Sequence, residues 1–187
     1  MPANTLKEFV ALAKAQPGKM SYGYGTSAAL LCGEMFKSIV GVDIVKVPYK
    51  GSPQSLTDLA ADRIQMVCEP FGTNLPFIKA GKMKALAVTN TMRNDLAPNV
   101  PTMQEAGYPM IHQTWAAFFA PAKTPGEALA KLRTELVAAM KVPGIPEKIR
   151  DTGFVPAPLD AEQLGASHRS EVARLAKLVK EAGIKAE

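Results

Sequence analysis

Two short loops combine glycine with hydroxyl side chains, and each is followed by the sequence pattern of a helix. The first is Gly25-Thr26-Ser27, and the second is Gly51-Ser52 with Pro53 as the expected first helical residue. The first turn of a helix has backbone N–H groups without intrahelical partners, and the helix dipole adds positive potential there. Both loops are therefore candidate carboxylate sites, and the alternative is an ordinary N-cap at Thr26 and at Ser52.

Charged and aromatic residues beside these loops complete the candidate ligand site. Lys50 would add positive charge, or it is simply a solvated lysine of the turn. Glu69 would repel an anion unless it meets an ammonium or hydroxyl group of the ligand or bonds through water, and the alternative is an exposed glutamate at a strand end. The full predicted set is Tyr24, Gly25, Thr26, Ser27, Tyr49, Lys50, Gly51, Ser52 and Glu69.

The sequence contains no residue pattern that is typical of catalysis. His112 lies in a turn-rich stretch without a neighbouring nucleophile, and His168 falls on or beside an apolar helical stripe, so we expect both to be structural. No GxSxG elbow, HExxH motif, Walker loop or GxGxxG after a strand is found. We therefore predict a protein that is not an enzyme, with no catalytic residue, no metal site and no cofactor.

The two cysteines, Cys32 and Cys68, lie in apolar stretches and lack CxxC spacing. A free buried thiol is the commoner outcome for cysteines with such neighbours. We therefore expect them to be unpaired, and pairing in an oxidising compartment is the alternative.

Composition and charge favour a soluble globular chain. The formal net charge is +5, but the basic residues are spread along the chain, and no helix-turn-helix or zinc-finger pattern suggests a nucleic-acid partner. No window approaches the roughly 20 apolar residues that span a bilayer. The start, Met1-Pro2-Ala3-Asn4, leads into a helical pattern without the basic and apolar regions of a secretory signal, so the chain itself gives no support for export.

Strands and helices alternate at short spacing as far as residue 89. Strands are predicted at 20–22, 42–47, 64–68, 83–89 and 114–119, and helices after residue 4 or 5, after Ser27, from Pro53 to about 62 and at 72–80. This alternation predicts a mainly parallel sheet flanked by helices. A single helical turn is expected near 102–106. Three helices are predicted beyond Pro121, at 125–140, after 146 and at 161–181.

Several stretches, in order along nearly the whole chain, resemble one known family. They lie at 6–19, which ends in KAQPGK, 47–59, which begins VPYKGS, 78–89, which reads IKAGKMKALAVT, 100–107, 115–121 and 179–185. Together they resemble the periplasmic receptors of tripartite tricarboxylate transporters, also called Bug receptors. The resemblance implies an α/β fold of the type II periplasmic-binding-protein class. It also implies a periplasmic location, a small carboxylate as ligand and membrane transporter subunits as partners of intact relatives.

The family fold has two α/β domains that face each other across a ligand cleft, with C-terminal helices that return to the first domain. By resemblance, residues 1–118 form the second domain, and residues 119–187 form the helical segment of an incomplete first domain. Because the usual export signal and the N-terminal part of the family chain are not found, we expect a truncated member. Trp115 and Phe118 are expected to fill the core where the chain crosses between domains, or to line the cleft.

The expected function is that of an extracytoplasmic solute-binding protein that captures a small carboxylate for a tripartite tricarboxylate transporter. One alternative is a truncated receptor that acts as a protein-interaction or sensor module or is a non-functional remnant, and another is an α/β enzyme acting on a small acid. A homodimer is also expected, because one apolar stripe would otherwise lack the sheet that covers it in the family. That stripe consists of Leu129, Leu132, Leu136 and Met140.

Overall fold

The computed structural model describes residues 1–157 and 159–181, and within them it has three strands and seven helices. In chain order these are α1 (Leu6–Ala15), β1 (Ser21–Tyr24), α2 (Ser27–Val40), β2 (Val45–Pro48), α3 (Ser52–Ala60), β3 (Met66–Val67), α4 (Phe71–Lys79), α5 (Gly126–Ala139), α6 (Ile145–Asp151) and α7 (Ala161–Glu181). The last helix has the predicted bounds. The remainder of the predicted C-terminal segment, residues 182–187, lies outside the described residues.

The three strands form a parallel sheet in the order β2-β1-β3, which confirms the prediction of an α/β fold with a parallel sheet. Tyr22 of the central strand pairs with Lys46 on one side and with Met66 on the other. Because all three strands run in the same direction, their carboxyl ends lie at one edge of the sheet. The helices that follow them, α2, α3 and α4, therefore all begin at that edge.

The core consists mainly of α1, α2 and the buried residues of β1. Phe9 of α1 and Phe36 of α2 are buried, with ring centroids 6.1 Å apart. Tyr22 is fully buried, and its hydroxyl donates to Glu34 at 2.5 Å, so that its polar end is satisfied. Burial of each such large side chain contributes about 1.5–3 kcal/mol. This packing holds α2 against β1 and fixes the position where α2 begins.

Three of the predicted strands differ from the structure. In the stretch 42–47, Val42 and Ile44 are buried, but strand pairing begins only at Val45, which is exposed because β2 is an edge strand. The stretch 83–89 contains a single parallel bridge, between Val88 and Thr102. The stretch 114–119 forms no strand. An apolar run becomes a strand only where a neighbour completes its ladder of hydrogen bonds. Within the described residues, β1 does so for 42–47 only from Val45 onward, 83–89 has one bridge, and 114–119 has no such neighbour.

The predicted turn near 102–106 forms, and its two ends bond to each other. The amide of Thr102 donates to the Glu105 carboxylate at 2.8 Å, and the amide of Glu105 donates to the Thr102 hydroxyl at 3.1 Å. The amide of Ala106 donates to the carbonyl of Thr102 at 3.0 Å, as in one turn of helix. This reciprocal capping stabilises the segment that carries the buried Met103.

The C-terminal part of the chain leaves several large apolar side chains on the surface. Leu132 and Leu136 of α5 are 51% and 38% exposed. The expectation of a core position for Trp115 and Phe118 is wrong, because they are 43% and 80% exposed. Trp115 instead packs edge-on against the ring of His168 in α7. Among the described residues, no helix is both long enough and apolar enough to cross a membrane.

Cys32 and Cys68 form a disulfide, so the expectation of free thiols is wrong. Cys32 is buried in α2, and Cys68 immediately follows β3. The two apolar stretches that contain Cys32 and Cys68 are distant in sequence but meet in the fold, because α2 lies beside the end of β3. The bond therefore joins α2 to the segment that leads into α4.

Removal of this disulfide is expected to lower the free energy of unfolding. For the sequence separation of 36 residues, the loss of loop-closure entropy in the unfolded chain corresponds to about 3–4 kcal/mol. Urea denaturation should show a lower midpoint for the C32A/C68A double variant than for the oxidised protein. The reduced wild-type chain serves as a control without substitutions. Equal midpoints for the oxidised and reduced protein would contradict the stabilising role.

Candidate functional site

Three helices begin at the carboxyl edge of the sheet, directly after the three strands. Their N-cap residues are Thr26 for α2, Gly51 for α3 and Pro70 for α4. Side-chain capping is present only at Thr26, so the first turns of α3 and α4 have no side-chain acceptor for their amides. Free first-turn amides and three helix dipoles make this edge favourable for an anion.

The first predicted loop forms the N-terminus of α2. The hydroxyl oxygen of Thr26 accepts the amide hydrogen of Ala29 at 3.1 Å, so the capping role considered for this residue is confirmed. That bond uses an oxygen lone pair and leaves the hydroxyl hydrogen available to an acceptor. Thr26 and Ser27 are both exposed. The cap and a role in ligand binding are therefore compatible.

The second predicted loop forms the N-terminus of α3 in a different way. Gly51 is the N-cap, so the prediction of Ser52 as N-cap is wrong, and Pro53 is the second helical residue rather than the first. Because Ser52 already has helical geometry, its side chain does not cap the following amides. Its hydroxyl instead acts on the carboxyl group of Glu69, whose pKa it lowers.

The two loops pack backbone against backbone. The amide of Tyr49 donates to the carbonyl of Tyr24 at 2.8 Å, which extends the pairing of β1 and β2 into the loops. A Cβ atom placed on Gly25 would lie 2.6 Å from both the Cα of Gly51 and the amide nitrogen of Ser52. Only glycine fits at Gly25, and its small size lets the starts of α2 and α3 lie side by side.

A cavity of about 800 Å³ lies beside these helix starts. Of the predicted site residues, Thr26, Ser52 and Glu69 line it. The other six are not among its lining residues, namely Tyr24, Gly25, Ser27, Tyr49, Lys50 and Gly51.

The six predicted residues outside the lining have other places in the structure. Tyr24 is buried in the core, and the hydroxyl of Tyr49 donates to Asp58 at 2.9 Å. Gly25 and Gly51 pack against each other, whereas Ser27 and Lys50 are exposed. Tyr24, Gly25, Tyr49 and Gly51 thus shape the loops whose helix starts face the cavity.

Glu69 is half-buried, so the alternative of an exposed strand-end glutamate is wrong. Burial raises the pKa of its carboxyl group, and the hydrogen bond from Ser52 opposes this rise. Its Oε1 atom is buried and has no hydrogen-bond partner within the described part of the chain. Glu69 therefore contributes a poorly solvated carboxyl group to the cavity wall.

Sequence reasoning missed two polar residues of this wall, Asn74 and His112. The side-chain nitrogen of Asn74 donates to the carbonyls of Glu69 at 3.2 Å and Pro70 at 3.1 Å. His112 is only 7% exposed and lines the same cavity. Asn74 lies five residues after Glu69, in the first half of α4, which begins beside Glu69. This short spacing could have indicated from the sequence that the two side chains lie close together. The local sequence around His112 gives no such signal, because the residue reaches α2 only through the fold.

Comparisons with known proteins agree on one family. The sequence profile described as "Tripartite tricarboxylate transporter family receptor" matches residues 1–184. A UPF0065 protein of Agrobacterium vitis is 35% identical over 185 residues, which are 96% of this chain and 54% of that protein. Protein BugT of Bordetella pertussis is 30% identical, over 97% of this chain and 57% of its own length. The matched family is one of solute-binding receptors and not of enzymes.

Solved structures give the same result. R. palustris Rpa4515 with adipate has a TM-score of 0.92 and 31% identity, and the match covers 98% of this chain and 62% of that one. The periplasmic binding protein BugD has a TM-score of 0.89 and 31% identity, over 100% and 64% of the two chains. MatC from Rhodopseudomonas palustris with bound malate has a TM-score of 0.83 and 26% identity, over 95% and 63%. The present chain spans about half the length of the two curated relatives named above and less than two thirds of the length of these solved chains.

The contact between the two loops is testable by adding one methyl group. In Gly25→Ala the new Cβ would overlap the backbone of Gly51 and Ser52, so we expect a loss of about 1–3 kcal/mol of stability. Gly126→Ala is the matched control, because no atom lies within 4 Å of the added Cβ at that position. Thermal or urea unfolding should separate the two variants. A Gly25→Ala protein as stable as Gly126→Ala would contradict the close packing.

Proposed function

Because the chain belongs to the tripartite tricarboxylate transporter receptor family, we propose that it binds a small carboxylate as part of an extracytoplasmic solute-binding protein. The observation that carries this proposal is the meeting of three helix N-termini at one sheet edge, where Thr26 and Ser52 line a common cavity. Such an arrangement supplies amide donors and positive potential without a catalytic group. The whole protein's transport role belongs to the same proposal.

The proposed contacts divide into donors and supporting residues. First-turn amides of α2 and α3, that of Ser52 among them, would donate to the ligand carboxylate together with the hydroxyl groups of Thr26 and Ser27, whereas the Ser52 hydroxyl serves Glu69. Lys50 is exposed near the second loop and would attract the anion through its charge. Tyr24, Gly25, Tyr49 and Gly51 would act indirectly, by holding the two helix starts together.

The similar structures support a carboxylate as the ligand class. Two of them carry adipate and malate, which are both small dicarboxylates. A periplasmic location and cooperation with membrane transporter subunits are proposed here from family membership. The proposal also states that the chain catalyses no reaction.

A second candidate function, that of a protein-interaction or sensor module, is favoured by the exposed aromatic residues after the sheet. Phe118 and Phe119 are 80% and 70% exposed, and Trp115, three residues before Phe118, is 43% exposed. Contiguous exposed apolar side chains are typical of interaction surfaces. This surface is separate in the chain from the helix starts that carry the proposed ligand site.

The carboxylate site is tested by the double variant Thr26→Ala/Ser27→Ala. It removes two hydroxyl donors and the cap of α2, so we expect carboxylate binding to weaken by about 1–3 kcal/mol while the fold is kept. Isothermal titration against a panel of mono- and dicarboxylates measures the effect. Thr134→Ala on α5 is the control, since its hydroxyl donates to Ala130 far along the chain from the site. Unchanged affinity in the double variant would refute the assignment of this loop.

Self-association is tested through the apolar face of α5. Because Leu132 and Leu136 are exposed and burial of such side chains contributes about 1.5–3 kcal/mol each, we expect the 187-residue chain to form a homodimer through this face. Substitution of both leucines by glutamate should shift sedimentation equilibrium toward the monomer. A wild-type chain that stays monomeric at high protein concentration would rule out the dimer.

A further inference from the structure

Three buried side-chain atoms lack a hydrogen-bond partner within residues 1–157 and 159–181. They are Oε1 of Glu69, Oδ1 of Asn74 and Nδ1 of His112. All three residues line the same cavity. Buried polar atoms in folded proteins are almost always paired, so three unpaired atoms in residues that line one cavity indicate that their partners come from a molecule in that cavity.

Hydrogen-bond geometry identifies the free groups of Asn74 and Glu69 as acceptors. The amide nitrogen of Asn74 donates to two backbone carbonyls, those of Glu69 and Pro70. This fixes the orientation of the amide and leaves the carbonyl oxygen Oδ1 unpaired. The Ser52 hydroxyl favours the ionised form of the Glu69 carboxyl group. The unpaired Oε1 of Glu69 is likewise an acceptor whenever that group is ionised.

His112 also presents an acceptor to the cavity. Burial lowers the pKa of its imidazole, the charge of Arg174 lowers it further, and Glu171 and a hydrogen bond to the Ala28 backbone oppose this change. The ring is therefore neutral near pH 7 and carries a single N–H. The Ala28 backbone raises the pKa, as a carbonyl facing a ring N–H does, which assigns the N–H to the nitrogen other than the unpartnered Nδ1. Nδ1 is then left with a lone pair and no donor.

We propose that Glu69, Asn74 and His112 form an acceptor subsite, which binds a hydrogen-bond donor carried by the carboxylate ligand. Ser52, at the start of α3, and Ala28, in the first turn of α2, line the same cavity as the three acceptors. A single small molecule thus meets donors for its carboxylate and acceptors for a neighbouring substituent. The ligand class that fits is a carboxylate with an amino or hydroxyl substituent.

The inference rests on the proposed carboxylate-binding function and adds a requirement on the ligand. An ammonium group would also offset the cost of the poorly solvated Glu69 carboxylate, whereas an unsubstituted acid would place like charges together without compensation. We therefore expect amino acids to bind most tightly, hydroxy acids next and unsubstituted acids least.

Matched series of acids provide the test. Isothermal titration would compare succinate, malate and aspartate, and in parallel glutarate, 2-hydroxyglutarate and glutamate, with the 187-residue protein. The amino or hydroxy acid of at least one series should bind about tenfold or more tightly than its unsubstituted parent, as for a hydrogen bond to a charged group. Glu69→Gln and His112→Phe should each reduce that ratio severalfold. Thr73→Val is the control, because Thr73 lines the cavity but its hydroxyl already donates to the carbonyl of Pro70.

The possible outcomes separate the two proposals. If substituted and unsubstituted acids bind equally, the acceptor subsite is refuted, and its buried atoms are hydrated instead. The proposal of carboxylate binding is not affected by that result. If none of the acids binds, the carboxylate-binding function itself fails and the subsite fails with it. If the preference exists but survives in both variants, its assignment to these residues is wrong. Should His112→Phe not fold, as judged by circular dichroism, the near-isosteric Glu69→Gln decides alone.

Discussion

The amide of Tyr49 donates to the carbonyl of Tyr24 at 2.8 Å, just beyond the last paired residues of β1 and β2. This contact continues the parallel ladder into the two loops and forces their backbones together. Gly25 makes the approach possible, because any side chain there would overlap Gly51 and Ser52. The amino ends of α2 and α3 therefore lie side by side, with positive dipole ends adjacent. Such an arrangement costs electrostatic energy when empty, and an anion removes that cost.

The other side of the cavity is fixed by different interactions. The disulfide joins Cys32 in α2 to Cys68, and Glu69 is the next residue. The disulfide thereby ties the backbone beside Glu69 to α2, and the Ser52 side chain, at the start of α3, favours the ionised form of the Glu69 carboxyl group. Asn74 anchors the same segment through its bonds to the Glu69 and Pro70 carbonyls. Donors and acceptors thus come from rigid elements that meet at one sheet edge, which is the arrangement that a preorganised binding site requires.

Features that depend on interactions between residues close in sequence could be predicted from the sequence. The cap at Thr26, the bounds of α7 and the parallel sheet follow from capping chemistry, helical periodicity and β–α alternation. Features that depend on distant contacts were missed. The pairing of the two cysteines and the place of His112 beside Ala28 arise from how α2 packs, and no local pattern encodes them. Likewise, the apolar run at 83–89 has the sequence pattern of a strand. In the fold, its strand pairing within the described residues is limited to one bridge, between Val88 and Thr102.

A carboxylate inside the proposed carboxylate site has a physical consequence for specificity. Glu69 lies half-buried near two helix N-termini, so an incoming anion meets attraction from the helix ends and repulsion from Glu69. Specificity is a difference between binding free energies, and a repulsive group lowers the affinity of every ligand that cannot compensate it. An unsubstituted acid gains the helix contacts but retains the repulsion, whereas an acid with a well-placed donor gains both sets of contacts. The same residue that weakens binding of the simplest ligands would therefore select the more complex ones, even though the helix ends by themselves would accept any small carboxylate.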